Sequence, residues 1–151
     1  LNPEDEVRPQ TSRAILRNGK VHDLAVSYQY HFGGDQLLEP AFLYKEARLD
    51  GSAESFKNTG LQLTYAKRAS QWSIVSNLYA GKRKYDEANP LFGQRADASE
   101  FALNGTFFWH NLFGIKPLAA TFTAAYSSAD SDIDFYDAEA LRFSTGLLYN
   151  F

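Results

Sequence analysis

Apolar and polar side chains alternate along most of this chain. In the segment NTGLQLTY, Leu61, Leu63 and Tyr65 share one parity, whereas Gln62 and Thr64 share the other. A period of two over about ten residues indicates a β-strand, because successive side chains of a strand point to opposite faces. The pattern recurs in seven segments: VHDLAVSYQYHF, LLEPAFLYKEARL, NTGLQLTY, QWSIVSNLYA, FALNGTFFWH, LAATFTAAYS and LRFSTGLLYNF. The sequence therefore predicts an all-β chain with seven clear antiparallel strands.

Connections between these segments are short and long in turn. HFGGDQ, AKRAS and NLFGIKP are short, whereas RLDGSAESFK, GKRKYDEANPLFGQRADAS and SSADSDIDFYDAEA are long and polar. This alternation is typical of an outer-membrane β-barrel, which has tight periplasmic turns and long outer loops. The segments also approach the roughly 9–11 residues that a tilted membrane strand needs. We therefore expect residues 21–151 to form transmembrane strands of a barrel in the bacterial outer membrane, with a periplasmic C-terminus.

The two faces of the predicted strands differ strongly in polarity. One face is almost wholly apolar and carries aromatic residues near the short turns, as in the interfacial girdle of membrane proteins. The other face is small and polar, which suits the interior of a membrane barrel. A soluble sandwich or lipocalin-like barrel, with its apolar face turned inward, is the alternative. The residues expected to line the lumen are Ser27, Gln29, Gln62, Thr64, Asn77, Asn104, Thr106, Thr121, Thr123, Arg142 and Ser144.

Composition narrows the classes of function. Aromatic residues make up 15% of the chain, yet no segment approaches the roughly 18 consecutive apolar residues of a membrane helix. A net charge of -3 gives no bulk basic character for binding nucleic acid. The lack of cysteine excludes disulfides, thiol catalysis and Cys-ligated metals, and no cofactor is predicted. Because the chain contains no methionine, we expect Leu1 to follow an upstream or removed segment.

Residues 1–20 lack the alternation of the rest of the chain. They are interpreted as a polar lead or an outer loop; alternatively, residues 7–17 form a first strand that closes an eight-stranded barrel. Seven strands alone would leave two open edges in lipid, where backbone groups have no partner. Since Arg8, Arg13 and Arg17 are poor membrane-spanning residues, we favour a larger barrel. An upstream half-barrel or a second chain would complete it.

The final segment, LRFSTGLLYNF, combines alternating apolar side chains with a terminal aromatic residue. It resembles the C-terminal recognition strand of Gram-negative outer-membrane proteins. This resemblance implies that the barrel-assembly machinery is a partner. The residues that would carry the assembly signal are Phe143, Leu147, Tyr149 and Phe151.

A further resemblance lies in residues 85–151. ANPLFGQRADA before a strand, LFG at a turn and SADSDIDFYD before the last strand resemble a family of uncharacterised gammaproteobacterial outer-membrane β-barrel proteins. The barrel domain of the surface lipoprotein assembly modifiers is similar in outline and is the second choice. Both resemblances imply a barrel in the outer membrane, and neither supplies a catalytic residue.

Candidate chemistry is sparse. His22 falls near an outer strand end, whereas His31 and His110 fall near inner ends, so the three histidines are not expected to share a site. No convergent nucleophile and base can be assigned, and no enzymatic activity is predicted. Asp130, Asp132 and Asp134 are weak candidates for a calcium site, because oxygen ligands at alternate positions recur in such sites. A solvated outer loop is the favoured interpretation of these aspartates.

Basic residues collect at the predicted outer ends of the strands. Such a rim could bind the phosphates of lipopolysaccharide through charge-assisted contacts, or it could simply be solvated. Outer-membrane lipid and lipopolysaccharide are therefore the expected partners. Pore, transport or export activity is the predicted function, and a structural or adhesive barrel that acts through its extracellular loops is the alternative. The rim residues are Arg48, Lys57, Lys82, Arg83, Lys84 and Arg95.

Overall fold

A computed structural model describes residues 18–149 of the chain. These residues form strands joined by turns and loops, and they contain no α-helix. Three short 3-10 turns lie in the connections. The strands are β1 (Gly19–Ser27), β2 (Tyr30–Phe32), β3 (Gln36–Leu49), β4 (Phe56–Arg68), β5 (Trp72–Tyr85), β6 (Ala98–His110), β7 (Leu118–Ser131) and β8 (Ala138–Tyr149).

All the strands belong to one antiparallel sheet. Its order is β1-β3-β4-β5-β6-β7-β8, and β2 also pairs with β3. Each strand from β3 onward therefore lies beside the strand that precedes it in the chain, as in a meander. The connections at 33–35, 69–71 and 111–117 lie at one end, and those at 50–55, 86–97 and 132–137 lie at the other. The predicted all-β antiparallel fold is confirmed for the described residues, and closure of their sheet into a barrel is not found.

The first predicted strand is divided into β1 and β2 by a proline on its neighbour. Ser27 pairs with Ala41 and Tyr30 pairs with Leu38, so the register continues unchanged across the break. Between these pairs, the Tyr28 N–H donates to the Pro40 carbonyl at 3.1 Å. Pro40 has no N–H to return that hydrogen bond. The eight strands of the sheet thus correspond to seven predicted segments, the first of which is interrupted.

The described sheet has no core of large apolar side chains. Among residues 18–149, no large side chain is fully buried, and the buried apolar residues are mainly alanines. Most of the large apolar residues lie instead on one open face, where Leu61 is 64% and Phe122 is 50% exposed. A soluble domain of this length normally buries a substantial core. To be removed from water, this apolar face would therefore have to be covered by groups outside the described residues.

Some sequence predictions fall outside the described residues. The possible strand at 7–17 and the terminal Phe151 lie there. Within the described residues, the sheet begins at Gly19, two positions before the predicted start at residue 21. Among residues 18–149, no helix has both the length and the apolar character needed to cross a membrane.

Candidate functional site

A row of hydrogen-bonded polar side chains crosses the middle of the sheet. Thr64 on β4 donates its hydroxyl to Asn77 Oδ1 on β5 at 2.7 Å, and the Asn77 amide donates to Asn104 Oδ1 on β6 at 3.1 Å. Gln62 extends the row, because its amide donates to Thr64 Oγ1 at 3.4 Å. Asn77 is directly opposite Thr64 on one side and Asn104 on the other, and Gln62 is two positions from Thr64 on the same strand. All four side chains therefore share a face. These hydrogen bonds give partners to polar groups whose burial without a partner would cost free energy.

Charged residues join this polar face nearer the long loops. Arg83 on β5 forms an ion pair with Glu100 on β6. The Glu100 side chain is only 17% exposed, so its carboxylate needs partners. Asn58 donates its amide to Glu100 Oε2 at 2.9 Å, and the Arg83 guanidinium carbon lies 5.1 Å from the centroid of the Phe56 ring. This charged cluster therefore links β4, β5 and β6.

Tyr79 is the one large aromatic side chain in the centre of this polar network. Its hydroxyl lies 3.1 Å from Asn58 Oδ1 and 3.3 Å from Glu100 Oε2. The ring lies over Gly60 and Gly81, which face each other on β4 and β5. A Cβ atom at either glycine would collide with the ring. The two glycines thus make room for Tyr79, in the manner by which aromatic rings cover glycines in sheets.

The remaining predicted lumen residues also fall on the polar face. Thr106 and Thr123 bond through their hydroxyls at 2.9 Å, and the Gln29 amide donates to Glu39 Oε2 at 2.9 Å. The others are placed by their register: Ser144 faces Thr123, Thr121 faces Gly146, Arg142 faces Ala125 and Ser27 faces Ala41. Together they extend the polar face across β1 to β8, where the register also places some apolar residues, such as Val75 and Phe108.

Several residues of this face were left out of the list of expected lumen residues, although the alternation of the strands assigns them to it. Asn58, Tyr79 and Glu100 share the face with Gln62 and Asn77, yet they were absent from the expected lumen set. Lys45 belongs there too, and its Nζ lies 3.6 Å from Asp23 Oδ1. The signal was present in the sequence, because extending the period of two to the strand ends assigns all of them to this face.

The predicted basic rim is divided between the two faces. Lys57, Lys82 and Lys84 point from the apolar face, and Arg95 lies in the adjoining loop and lines the same groove. Arg83 lies on the opposite face, where it pairs with Glu100. Strand alternation thus separates Arg83 from its neighbours in sequence, and the binding of lipopolysaccharide by these six residues stays a prediction.

Arg48, the sixth predicted rim residue, is engaged with a carboxylate. At the loop end of β3, beyond its apolar residues, Arg48 Nε donates to Glu46 Oε1 at 3.0 Å. The Arg48 side chain is 71% exposed, so solvent screens the pair and its contribution to stability is small.

The three histidines lie at separate places in the sheet. His22 is opposite Glu46 near the long-loop end, whereas His31 is opposite Leu37 near a short turn. His110 lies on another strand, where its Nε2 is 2.9 Å from Ser73 Oγ. Within residues 18–149, no group of three or more such side chains is arranged to hold a metal ion, and the weak calcium candidates Asp130, Asp132 and Asp134 are included in that finding.

Aromatic side chains mark the short-turn end of the apolar face. Trp72 stacks on Phe107 with a centroid distance of 6.0 Å, and Phe107 meets Trp109 edge-on at 6.3 Å. The Lys67 Nζ atom lies over the Trp72 ring, 5.6 Å from its centroid. Tyr30 stacks on Phe32 on the same face, near the β1 edge of the sheet, with a centroid distance of 5.7 Å. The predicted clustering of aromatic residues near the short turns is thus present in the structure.

A second aromatic group lies in the long loops. Phe92 contacts Phe135 and Tyr136, with centroid distances of 5.9 and 5.8 Å. The buried Asn89 donates its amide to Tyr136 Oη at 3.2 Å, which joins the loop at 86–97 to the loop at 132–137. Phe135 remains 77% exposed. These two loops therefore present aromatic surface to solvent.

Comparison with protein families gives one match over nearly the whole chain. Residues 5–150 match the family described as "Protein of unknown function (DUF2860)". The chain belongs to the DUF2860 family. No curated protein and no solved structure matches it. The family's description assigns no activity, so the function of this DUF2860 chain has to be argued from its polar and apolar faces.

Proposed function

We propose that this DUF2860 chain forms part of the wall of an outer-membrane β-barrel that passes polar solutes through its lumen. The observation that carries this proposal is the difference between the two faces. Leu61 and Leu103 are 64% and 46% exposed on the apolar face, whereas Thr64, Asn77 and Asn104 bond to one another on the other. Lipid would cover the apolar face and water would fill the space before the polar face.

The ends of the sheet support an orientation for the barrel. Trp72, Phe107 and Trp109 gather at the short-turn end of the apolar face, as expected for an interfacial aromatic girdle. Short turns are typical of the periplasmic side. We therefore place the short turns and the end of β8 in the periplasm, with the long loops outside the cell. The resemblance of residues 85–151 to gammaproteobacterial outer-membrane proteins supports the same location.

The edges of the sheet support a larger barrel. Among the described residues, β1 pairs only with β3 and β8 pairs only with β7. An unpaired backbone group in hydrocarbon costs several kcal/mol, so both edges require partners in a membrane. Further strands, from an upstream segment or another chain, would supply them and widen the lumen. In the alternative eight-stranded ring, residues 7–17 would pair with both edges and side chains would fill the interior.

Assembly would depend on the last strand. Phe143, Leu147 and Tyr149 all lie on the exposed apolar face of β8, and Phe151 lies beyond the described residues. Phe143 is 75% exposed, which leaves it accessible to another protein before insertion. We propose that these residues form the signal read by the barrel-assembly machinery.

Cysteine labelling tests whether the polar face contacts water. Because the chain has no native cysteine, Asn104→Cys and Leu103→Cys place single thiols on opposite faces at one depth. In lipid vesicles, we expect a membrane-impermeant thiol reagent to modify the cysteine at 104 much faster than the one at 103. Labelling at 104 should also reduce ion conductance in planar bilayers. Faster labelling at 103 would reverse the assigned faces, and labelling at neither position would indicate a filled barrel.

A second labelling experiment tests the orientation. Ala88 in a long loop and Ser70 in a short turn are both exposed. With Ala88→Cys and Ser70→Cys, we expect the same reagent, added to intact cells, to modify only the cysteine at 88. Both should react after the cells are broken, which controls for folding and accessibility. Labelling of intact cells at 70 alone would show that the short turns face outward.

The long loops favour a second candidate function. Phe92, Phe135 and Tyr136 form an aromatic cluster, and Leu91 beside it is 76% exposed. Exposed apolar groups of this kind often mark a binding surface. A structural or adhesive barrel acting through these loops is therefore the alternative. It would be favoured if the cysteine at 104 were unreactive and the protein did not conduct ions.

A further inference from the structure

Basic side chains surround one groove at the long-loop end of the apolar face. Lys57 on β4, Lys82 and Lys84 on β5, and Arg95 in the loop at 86–97 all line it. Tyr44 and Tyr85 supply aromatic walls, Thr59 supplies a hydroxyl, and Asp86 is its acidic residue. The groove therefore brings together basic residues from two strands and a loop.

The basic side chains of this groove repel one another. Lys57 and Lys84 are directly opposite on β4 and β5, an arrangement that destabilises a sheet when the charges are alike. Glu46 Oε1 lies 3.9 Å from Lys57 Nζ, but it accepts a closer hydrogen bond from Arg48. Within residues 18–149, Lys82 and Lys84 form no ion pair. An anion in the groove would relieve this repulsion.

Other carboxylates lie on the far side of the same lysines. Asp97, Asp130 and Asp132 border a neighbouring groove together with Lys82 and Lys84. Asp97 accepts a hydrogen bond from the Tyr85 N–H at 2.7 Å and is therefore directed to the backbone. These aspartates leave the side occupied by Lys57 and Arg95 predominantly basic.

An apolar furrow continues from the basic groove toward the middle of the sheet. Phe42, Leu61 and Ala80 line it, and it shares Thr59 and Lys82 with the basic groove. Ala80 faces Leu61 on one side and Phe101 on the other. The small Ala80 side chain between these two larger ones forms the floor of the furrow. Charge and apolar surface are thus adjacent, with Lys82 between them.

We propose that this composite surface binds one phosphorylated lipid of the outer leaflet. Its headgroup phosphate would lie among Lys57, Lys82, Lys84 and Arg95, because ammonium and guanidinium groups form charge-assisted hydrogen bonds with phosphate. An acyl chain would follow the furrow over Ala80. The proposal rests on the proposed membrane location, and it adds a defined ligand site to the wall of the barrel.

Lipid binding to the purified protein in detergent tests the site. The probes are a phosphorylated lipid A, its dephosphorylated form and inorganic phosphate, with bound lipid counted by native mass spectrometry. The triple variant Lys57→Gln, Lys82→Gln and Lys84→Gln removes cations from the groove. The matched control Lys20→Gln, Arg68→Gln and Lys116→Gln changes net charge equally at positions outside it. Ala80→Phe fills the furrow and leaves the basic residues in place.

The outcomes distinguish a phosphorylated lipid from free inorganic phosphate as the ligand of the groove. We expect affinity for the phosphorylated lipid to fall about fivefold per cation removed from the groove, as for basic residues at a membrane surface, and to change little in the control. We expect Ala80→Phe to weaken lipid binding as well. Equal binding of both lipids, or equal losses in both triple variants, would overturn the proposal. Full competition by inorganic phosphate, with no effect of Ala80→Phe, would indicate a free-phosphate site instead.

This result can be separated from a failure of the proposed function. If the cysteine at 104 reacts with the aqueous reagent while the lipids bind equally, the barrel stands and the lipid site fails. If the cysteine at 103 reacts faster, the assigned faces are reversed and the lipid site fails with them.

Discussion

Replacing Leu103 with arginine is expected to lower the free energy of unfolding in a lipid bilayer by about 2–4 kcal/mol. Leu103 lies near the middle of β6, on the apolar face, between Leu78 and Tyr126. It is 46% exposed in the isolated sheet, so the space around it would be filled by lipid. A guanidinium at this depth would lose its hydration. The measurement is reversible denaturant unfolding of the protein in phospholipid vesicles.

The neighbouring residue provides a matched control. Asn104 lies at the same depth on the opposite face, where it accepts a hydrogen bond from Asn77. Asn104→Arg would lose this bond, worth about 1 kcal/mol, but its charge would remain in water. We therefore expect it to be the milder change. The faces would be wrongly assigned if Asn104→Arg were the more damaging of the two.

Gly60→Ala is expected to destabilise the folded protein by about 1–3 kcal/mol, the usual cost of overpacking. A methyl group at Gly60 would collide with the ring of Tyr79. Moving that ring would also disturb its hydrogen bonds to Asn58 and Glu100. The same measurement of unfolding in vesicles applies. In most strands alanine is tolerated as well as glycine or better, so a loss here would be specific to this contact.

Gly105→Ala and a double mutant serve as controls. At Gly105 the nearest atom to an added methyl is Ser76 Cβ at 4.0 Å, which is ordinary contact. We expect this variant to change stability by less than about 0.5 kcal/mol. In a Tyr79→Ala background, Gly60→Ala should lose most of its effect, because the ring it meets is absent. Additive losses in the double mutant would show that the ring and the glycine are not coupled.

Alternation along the chain was sufficient to predict the strands and the face on which most residues lie. Each strand from β3 onward pairs with its predecessor, so short and long connections also predicted the meander. These features are local, since the period of a strand is set by its own backbone geometry. The same rule, applied to the ends of the strands, assigns Arg83 to the polar face.

Only the tertiary structure determined the contacts between residues that are far apart in the sequence. The interruption at Tyr28 depends on Pro40 in the neighbouring strand. Tyr79 fits the polar face because Gly60 and Gly81 are opposite each other.

The contacts made by the loops were likewise not predicted from the sequence. Phe92 meets Phe135, and Arg95 lines the same groove as Lys57, because of the irregular paths that these loops take. A residue's own parity gives its face, but only the register of neighbouring strands and the path of the loops determine which side chains meet.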